Sequence, residues 1–486
     1  MLLYNIDCGI ITKVDFQNKH FYGVNKKDVL ARLNVNEDTF IDSMLMTGTS
    51  FLPTFPALKD STIVPQQPYT VKDAVNMYRT AGKSIIALCQ QWSEIIQKQE
   101  LNWEDKYRKA RLAIKHCPTI TLLPNGDTAD GEKPHDRYGV VVSKADQLTG
   151  DHHEYIGLQL PEELYHYLIH GAIGPRILNW LAYLEMLVLP PLDGGDSEEY
   201  RRLITQQLVP VQAQSISLYT SRMHRAFQHK NFTMRFWFDK NKTVVMNQSI
   251  DPAPDRLTGT WRVNQDLLAS QEKVIHAMSG SLFFALVSLE DEGFAGSTIS
   301  KSPDVQNIKT KSEVLSNTMW RFLHLRGYIN DNHKLTVWGK ALAVTMRSLD
   351  SSHISTHKLE EAAFLAFELL KYDQLNTHNR HEEWIGAPQR GSDSDRTHCL
   401  LIARCACLLK VHHRSIGYTG PLSKNLLAYH SIISAVRESD RSLIEAVVAS
   451  MFLWAHADRR MVRDEKAGIS RKRTKQDWKD LGFRYV

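Results

Sequence analysis

Over Leu2–Val24, apolar and β-branched residues alternate with polar ones, and Asn18-Lys19 interrupts them. This pattern predicts two strands joined by a turn. Asn36 stands where a helix over Glu37–Thr47 needs an N-cap, and Gly48 stands where it needs a stop. Pro53, Pro56, Pro65 and Pro68 then imply an irregular connection. Two helical stretches follow. Val71–Arg79 places Val71, Ala74, Val75 and Tyr78 on one face, and Ser84–Gln99 does so with Ile85, Leu88, Trp92, Ile95 and Ile96. Pro124–His135 reads as a linker.

Leu160–Leu189 has helical periodicity, broken in two by Gly174-Pro175. Pro190–Ser197 is expected to be a loop leading to a helix over Glu198–Leu208. Phe232–Val245 alternates as a hairpin does, with its turn expected near Asp239–Lys242. A helix over Gln265–Leu289 and a loop over Gly293–Pro303 come next. Ser312–Leu349 reads helix, Gly327, strand, Asn/Asp turn, strand, helix, the order of a winged-helix unit. Helices are expected near Ser355–Tyr372, Thr397–His412, Pro421–Val436 and Ser439–Ala457, with a polar loop over Gln374–Arg396. These elements make an α+β, mainly α-helical, multidomain chain.

Composition adds little until charge is mapped. The 486 residues are 43% apolar and 23% charged, a globular balance with ample material for buried cores. Six scattered cysteines are too sparse for a disulfide framework. The N-terminus lacks a secretory pattern, and the best apolar run, Ile177–Leu192, is too short and polar to span a bilayer. The formal charge of +5 belongs to the tail. Asp458–Val486 carries ten Lys/Arg and five Asp/Glu, while the remainder balances at 49 each. Arg471, Lys472, Arg473 and Lys475 could contact RNA phosphates, serve as a targeting address, or be a solvated end.

Residues Leu33–Pro56 (LNVNEDTFIDSMLMTGTSFLPTFP) resemble the helical segment of flap-endonuclease-like, XPG-type nucleases. Phe40, Asp42, Leu45 and Gly48 fill that frame, but Ser50 stands at the family's metal-aspartate position and Phe51 at its tyrosine. Across nearly the whole chain, EYIGLQLPEELYHYLIHGAIGPRILNWL, LPPLDGGDSEEYRRLI and RGYINDNHKLTVWGKAL resemble the fungal MKT (maintenance of killer toxin) post-transcriptional regulators. The resemblance implies a domain order. A remnant of the nuclease-like fold spans 1–124, a linker 125–137, an MKT N-type domain 138–254, and an MKT C-type domain 255–486. The last holds the winged-helix-like unit 312–349 and the basic tail 458–486. It implies regulation of mRNA in the cytoplasm or its RNA granules. The implied partners are an ataxin-2-like protein bound to poly(A)-binding protein, and mRNA-protein complexes and ribosomes reached indirectly. In that family the nuclease-like fold begins well upstream of residue 1, so the chain is expected to be truncated there.

The candidate chemistry is thin. Two-metal hydrolysis needs several converging carboxylates. Here Asp42 remains alone and Ser50 cannot replace an aspartate, so no catalytic residue and no cofactor are expected. Mg²⁺ enters only if a divergent nuclease is completed by an upstream segment. A lone Asp on such a helix is more often an exposed residue. Gly82-Lys83-Ser84 lacks the first glycine of a P-loop and reads as a helix start. His398, Cys399, Cys405, Cys407, His412 and His413 offer soft ligands, but the cysteines sit in an apolar helical run. His378 and His381 lie in a polar loop without completing ligands. Arg235 and Lys240, interleaved with Phe236, Trp237 and Phe238, suit single-stranded RNA, or else one face of the hairpin is core. Arg321, His324 and Arg326 before Gly327 could face nucleic acid, or the unit could be a protein-docking platform. Trp320, Trp338 and Trp384 are candidate anchors for a peptide, or core. The leading expectation is a non-catalytic adaptor. A nuclease and an RNA-binding module acting through the tail are the alternatives.

Overall fold

The computed structural model describes residues 2–4, 9–49, 52–97, 102–117, 119–122, 138–141, 157–158, 160–191, 195–223, 225–300, 310–349, 358–379, 391–409 and 424–460. Ser50, Lys98–Glu100, the linker 125–137, His381, Trp384, His412, His413 and the tail beyond Arg460 lie outside these residues. The chain divides into two compact units, Met1–Glu162 and Glu163–Val486. It is mainly helical with small sheets, an α+β composition.

In the first unit, β1 (Gly9–Asp15) and β2 (His20–Asn25) form the expected antiparallel hairpin. Asp15 accepts from the amides of Gln17 and Asn18 and so fixes the turn. Helices α1 (Lys26–Leu33) and α2 (Glu37–Met46) follow, capped by Asn25 and by Asn36, whose side chain accepts from the Thr39 amide. Gly48 takes φ +95°, and a Cβ there would lie 2.7 Å from Thr54 Oγ1, so glycine is required. Next comes α3 (Val71–Thr80). The helix expected over Ser84–Gln99 splits into α4 (Ile85–Gln91) and α5 (Ser93–Gln97), because Trp92 leaves helical geometry at φ −114°, ψ 28°. An additional helix, α6 (Trp103–Lys115), is capped by Asn102 and buries Trp103, Tyr107, Ala110 and Ile114. These residues join Leu45, Met46, Phe55 and Leu58 in one core. The Trp103 ring meets Phe55 edge-on at 4.7 Å and donates from Nε1 to the Pro53 carbonyl at 2.8 Å. A two-stranded ladder, β3 (Thr119–Leu122) with β4 (Tyr138–Val141), completes this unit.

The second unit opens with α7 (Glu162–Ile169) and α8 (Pro175–Tyr183). Leu184 then turns left-handed at φ 55°, and Glu185–Val188 forms β5 instead of continuing the helix. The short apolar run suited either state, and parallel pairing with β6 (Phe232–Phe236) decided it. Antiparallel β7 (Asp239–Met246) finishes the sheet. The hairpin turns at Trp237-Phe238, earlier than expected, and Asp239 Oδ1 holds the amides of Asn241 and Lys242. Between β5 and β6, α9 (Glu198–Arg202) runs through a π-helical turn, Leu203–Gln207, into α10 (Val209–Thr220).

The connection to the C-terminal helices also departs from expectation in places. After α11 (Arg225–Gln228) and α12 (Pro254–Leu257), the Gln265–Leu289 stretch breaks into α13 (Gln265–Ile275) and α14 (Leu282–Val287) at left-handed His276 and Gly280. The expected loop at Gly293 begins with α15 (Glu292–Ser297), because Asp291 caps it and Phe294 and Ala295 are buried. Helices α16 (Lys311–Leu325), α17 (Val337–Ser348), α18 (Lys358–Lys371) and α19 (Asp393–Leu409) follow. The last two expected helices are one, α20 (Lys424–Arg460), with no Gly or Pro to interrupt its 37 residues. No helix among the described residues is long and apolar enough to cross a membrane.

Candidate protein-docking surface

The 312–349 stretch shows how local rules hold an apolar helix at the surface. Thr310 and Glu313 form a capping box at the start of α16. Past α16, Gly327 reverses the chain at φ 76°, and Ile329 bridges Leu335 around an Asn330–Lys334 turn. Thr336 caps α17 by accepting from the Gly339 amide, and its hydroxyl donates to the Gly327 carbonyl at 2.8 Å. A Cβ on Gly339 would fall 2.1 Å from the Tyr328 carbonyl oxygen, so only glycine lets α17 start here.

Two buried polar groups lock this turn. The first is built on histidines. Trp261 Nε1 donates to His324 Nδ1 at 3.1 Å, so Nε2 carries the proton and donates to Asp331 at 2.9 Å. His333 stacks on Trp261 at 3.5 Å between ring centroids. The Thr298 hydroxyl already donates to the Ala295 carbonyl, so it accepts from His333 Nδ1 at 2.8 Å, and Thr260 Oγ1 lies 3.0 Å from Nε2. The Trp261 donation leaves His324 neutral. Burial, reinforced by His324 and Arg321, pushes His333 down to about 3. The second group centres on Glu368 of α18, which is fully buried. Tyr328 donates to Oε1 at 2.7 Å and Arg326 Nε to Oε2 at 2.9 Å, while Lys371 Nζ lies 3.3 Å from Oε1. Asp440 of α20 lies 3.5 Å from Arg326 Nε, and neither of its carboxyl oxygens has a hydrogen-bond partner among the described residues. Burial, then the Glu368 charge, raises the Asp440 carboxyl well above the usual range.

Over this base α17 presents Val337, 84% exposed, then Ala341 and Val344, 60% exposed. Trp338, 40% exposed, meets Phe367 of α18 edge-on at 6.1 Å. Of the three candidate anchors, Trp320 is core, Trp338 is at the surface, and Trp384 is outside the described residues.

The other candidates take different places. Arg321, His324 and Arg326, read as possible nucleic-acid contacts, are all turned inward: Arg321 donates to the Trp261 carbonyl at 3.3 Å and Arg326 is committed to Glu368. In the hairpin, Phe232, Met234 and Phe236 face the core. Trp237 packs on Tyr200, and Phe238 lies under the Arg201 guanidinium. Arg235 is on the solvent face, ion-paired with Glu185 at 3.2 Å. The side chain of Lys240 lies outside the described residues, as do Arg471, Lys472, Arg473 and Lys475. The cysteine run is helical, with Cys399 exposed and Cys405 and Cys407 between buried and exposed. Ser84 caps α4 through the Ala87 amide, as a helix start does.

Asp42 is not the exposed helix residue its setting suggested. It is buried in α2, where Tyr78 donates to Oδ2 at 2.8 Å and Tyr107 and Arg111 Nε donate to Oδ1 at 2.6 Å each. Burial and the Asp42 carboxylate raise both tyrosine hydroxyls far above their ordinary value. Mg²⁺ does not fit this carboxylate, since Arg111 already supplies its counter-charge. Among the described residues no group of three or more His, Cys, Asp or Glu could hold a metal.

Fold and surface thus define a helical α+β protein with an apolar helix face held outward on a rigid base. Two models of one family, described as temperature dependent protein affecting M2 dsRNA replication, match residues 149–238 and 321–484. The chain belongs to this MKT1 family. It is 26% identical to the post-transcriptional regulator MKT1 of Cryptococcus neoformans, over 95% of this chain and 59% of that protein. The proteins of the same name from Saccharomyces cerevisiae and Schizosaccharomyces pombe are 21% and 20% identical, over 92% and 86% of this chain. The chain spans between 54% and 59% of the length of these three relatives. No solved structure matches it.

Proposed function

We propose that the chain is a non-catalytic adaptor in the post-transcriptional regulation of mRNA, docking an ataxin-2-like protein associated with poly(A)-binding protein. The relatives' shared name supports the regulatory part of this reading. The observation that carries the adaptor part is the outward apolar face of α17, fixed by Thr336, Gly339 and the Glu368 network. A preformed apolar surface is what a segment of a disordered partner needs. The adaptor acts in the cytoplasm or its RNA granules, needs no cofactor, binds no membrane, and reaches mRNA and ribosomes through its partner. The nuclease-like description of the first unit rests on the Phe40–Gly48 frame, and the winged-helix description of 312–349 on its order of elements. The engagement of Asp42 by three donors weighs against a nuclease completed by an upstream segment. A direct RNA-binding role would fall to the basic tail.

The test is a pull-down from cytoplasmic extract by the purified chain, with and without Asp458–Val486, before and after RNase. RNase-resistant recovery of an ataxin-2-like protein is expected. RNA-dependent partners only, lost with the tail, would overturn the adaptor reading in favour of RNA binding.

A further inference from the structure

Two properties of α17 meet on one face. Val337, Ala341 and Val344 recur at i, i+4 and i+7 and all face solvent, with Trp338 next to Val337. At 1.5 Å per residue, this seam is ~10 Å long. An apolar stripe at this spacing is what one helix buries against another. The second property is charge. The helix VWGKALAVTMRS has two cations, Lys340 and Arg347, and no acid. Arg347 is paired with Glu290, and Lys334, just before the helix, with Glu292. Lys340 has no carboxylate partner among the described residues and stands exposed beside Ala341.

We infer that this seam receives an amphipathic helix with acidic flanks. Its apolar side chains at i, i+3 or i+4 and i+7 lie between Val337 and Val344, and a flanking carboxylate meets Lys340. The inference rests on the adaptor reading and names the chemistry of the segment that docks. Charge disfavours the α17 of a second copy, which would set one uncompensated Lys340 against another. RNA would satisfy Lys340 but leave Val337 and Val344 against water.

The test uses the full chain and two fluorescein-labelled 20-residue helical peptides, both with Leu at i, i+4 and i+7. One has Glu on its flanks and the other Lys. Fluorescence anisotropy is expected to show binding of the glutamate peptide only. Val344→Glu and Lys340→Glu are each expected to weaken it at least tenfold, and Lys340→Glu to admit the lysine peptide. All of these side chains are exposed, so thermal unfolding should match the wild type. Equal binding of both peptides, no binding of the glutamate peptide, or indifference to Val344→Glu would overturn the inference. So would self-association lost on Val344→Glu, or RNA binding lost on Lys340→Glu but kept on Val344→Glu. Recovery of the ataxin-2-like protein separates the two levels. If wild type and Val344→Glu both capture it, the seam is wrong and the adaptor stands. If wild type binds the glutamate peptide but does not capture it, the named partner is wrong and the seam stands.

Discussion

Each unit of the protein buries a carboxylate beneath tyrosines and an arginine, and the two are solved differently. Asp42 has three donors, and its arginine, Arg111, keeps about a third of its side chain in solvent. Asp38 and Lys115 lie at that open rim. Glu368 has a narrower outlet, a fifth of the Lys371 side chain. Arg326 is nine-tenths buried with it, Lys371 lies across the Tyr328 ring at 4.2 Å, and a second carboxyl, Asp440, is sealed in beside them. Losing one member of an open network lets the others turn to water. Losing one from a closed network strands a charge.

The largest test of this contrast is Glu368→Ala, which removes the acceptor of Tyr328 and the main counter-charge of Arg326 and Lys371, leaving only Asp440 facing Arg326, and should cost about 3–5 kcal/mol by urea unfolding. A loss below that of Asp42→Asn would show that water reaches the Glu368 site. Asp42→Asn should cost about 1–3 kcal/mol, because Arg111 can swing outward while two tyrosine hydroxyls lose an ionic acceptor. Acid separates the units further. His333 is held near 3 against an ordinary 6.5. Its folded-state value is depressed, so its contribution is whole above pH 6.5 and is lost as pH falls toward 3. Each pH unit in that window should remove about 1.4 kcal/mol. His324 shifts the same way. Unfolding followed between pH 7 and 5 should show this slope, and His333→Asn should flatten it. The smallest effect has the opposite sign. Asp440 is raised, so its contribution is present at low pH and lost as pH rises. Asp440→Asn should therefore gain stability relative to wild type as pH rises above the ordinary carboxylate range, and a constant difference would refute the shift.

What could be read in advance was local. Asn36 and Gly48 bracket α2, and the alternation of Phe232–Val245 gave its hairpin. The network around Asp42 was hidden because Tyr78, Tyr107 and Arg111 lie 36, 65 and 69 residues away. Two of the three sit on α6, a helix that Asn102 and the spacing of Trp103, Tyr107, Ala110 and Ile114 could have revealed. In LPPLDGGDSEEYRR the sequence marked a family but not a purpose. Asp196 grips Arg201, Ser197 caps α9, Tyr200 packs on Trp237, and Glu199 reaches Arg404 at 2.7 Å across 205 residues. Conversely, the cations before Gly327 looked solvent-facing because helical periodicity does not reveal a buried counter-charge such as Glu368.

Helix α20 serves both segments that the family models recognise. One face carries Glu438 and Glu445, which hold Arg176 and the Gly174 amide at the start of α8. Another carries Arg437 and Asp440, turned to Glu361 and Arg326. The helix lies inside the second of these segments, so the first, taken alone, would lose the carboxylates that hold Arg176 and the Gly174 amide.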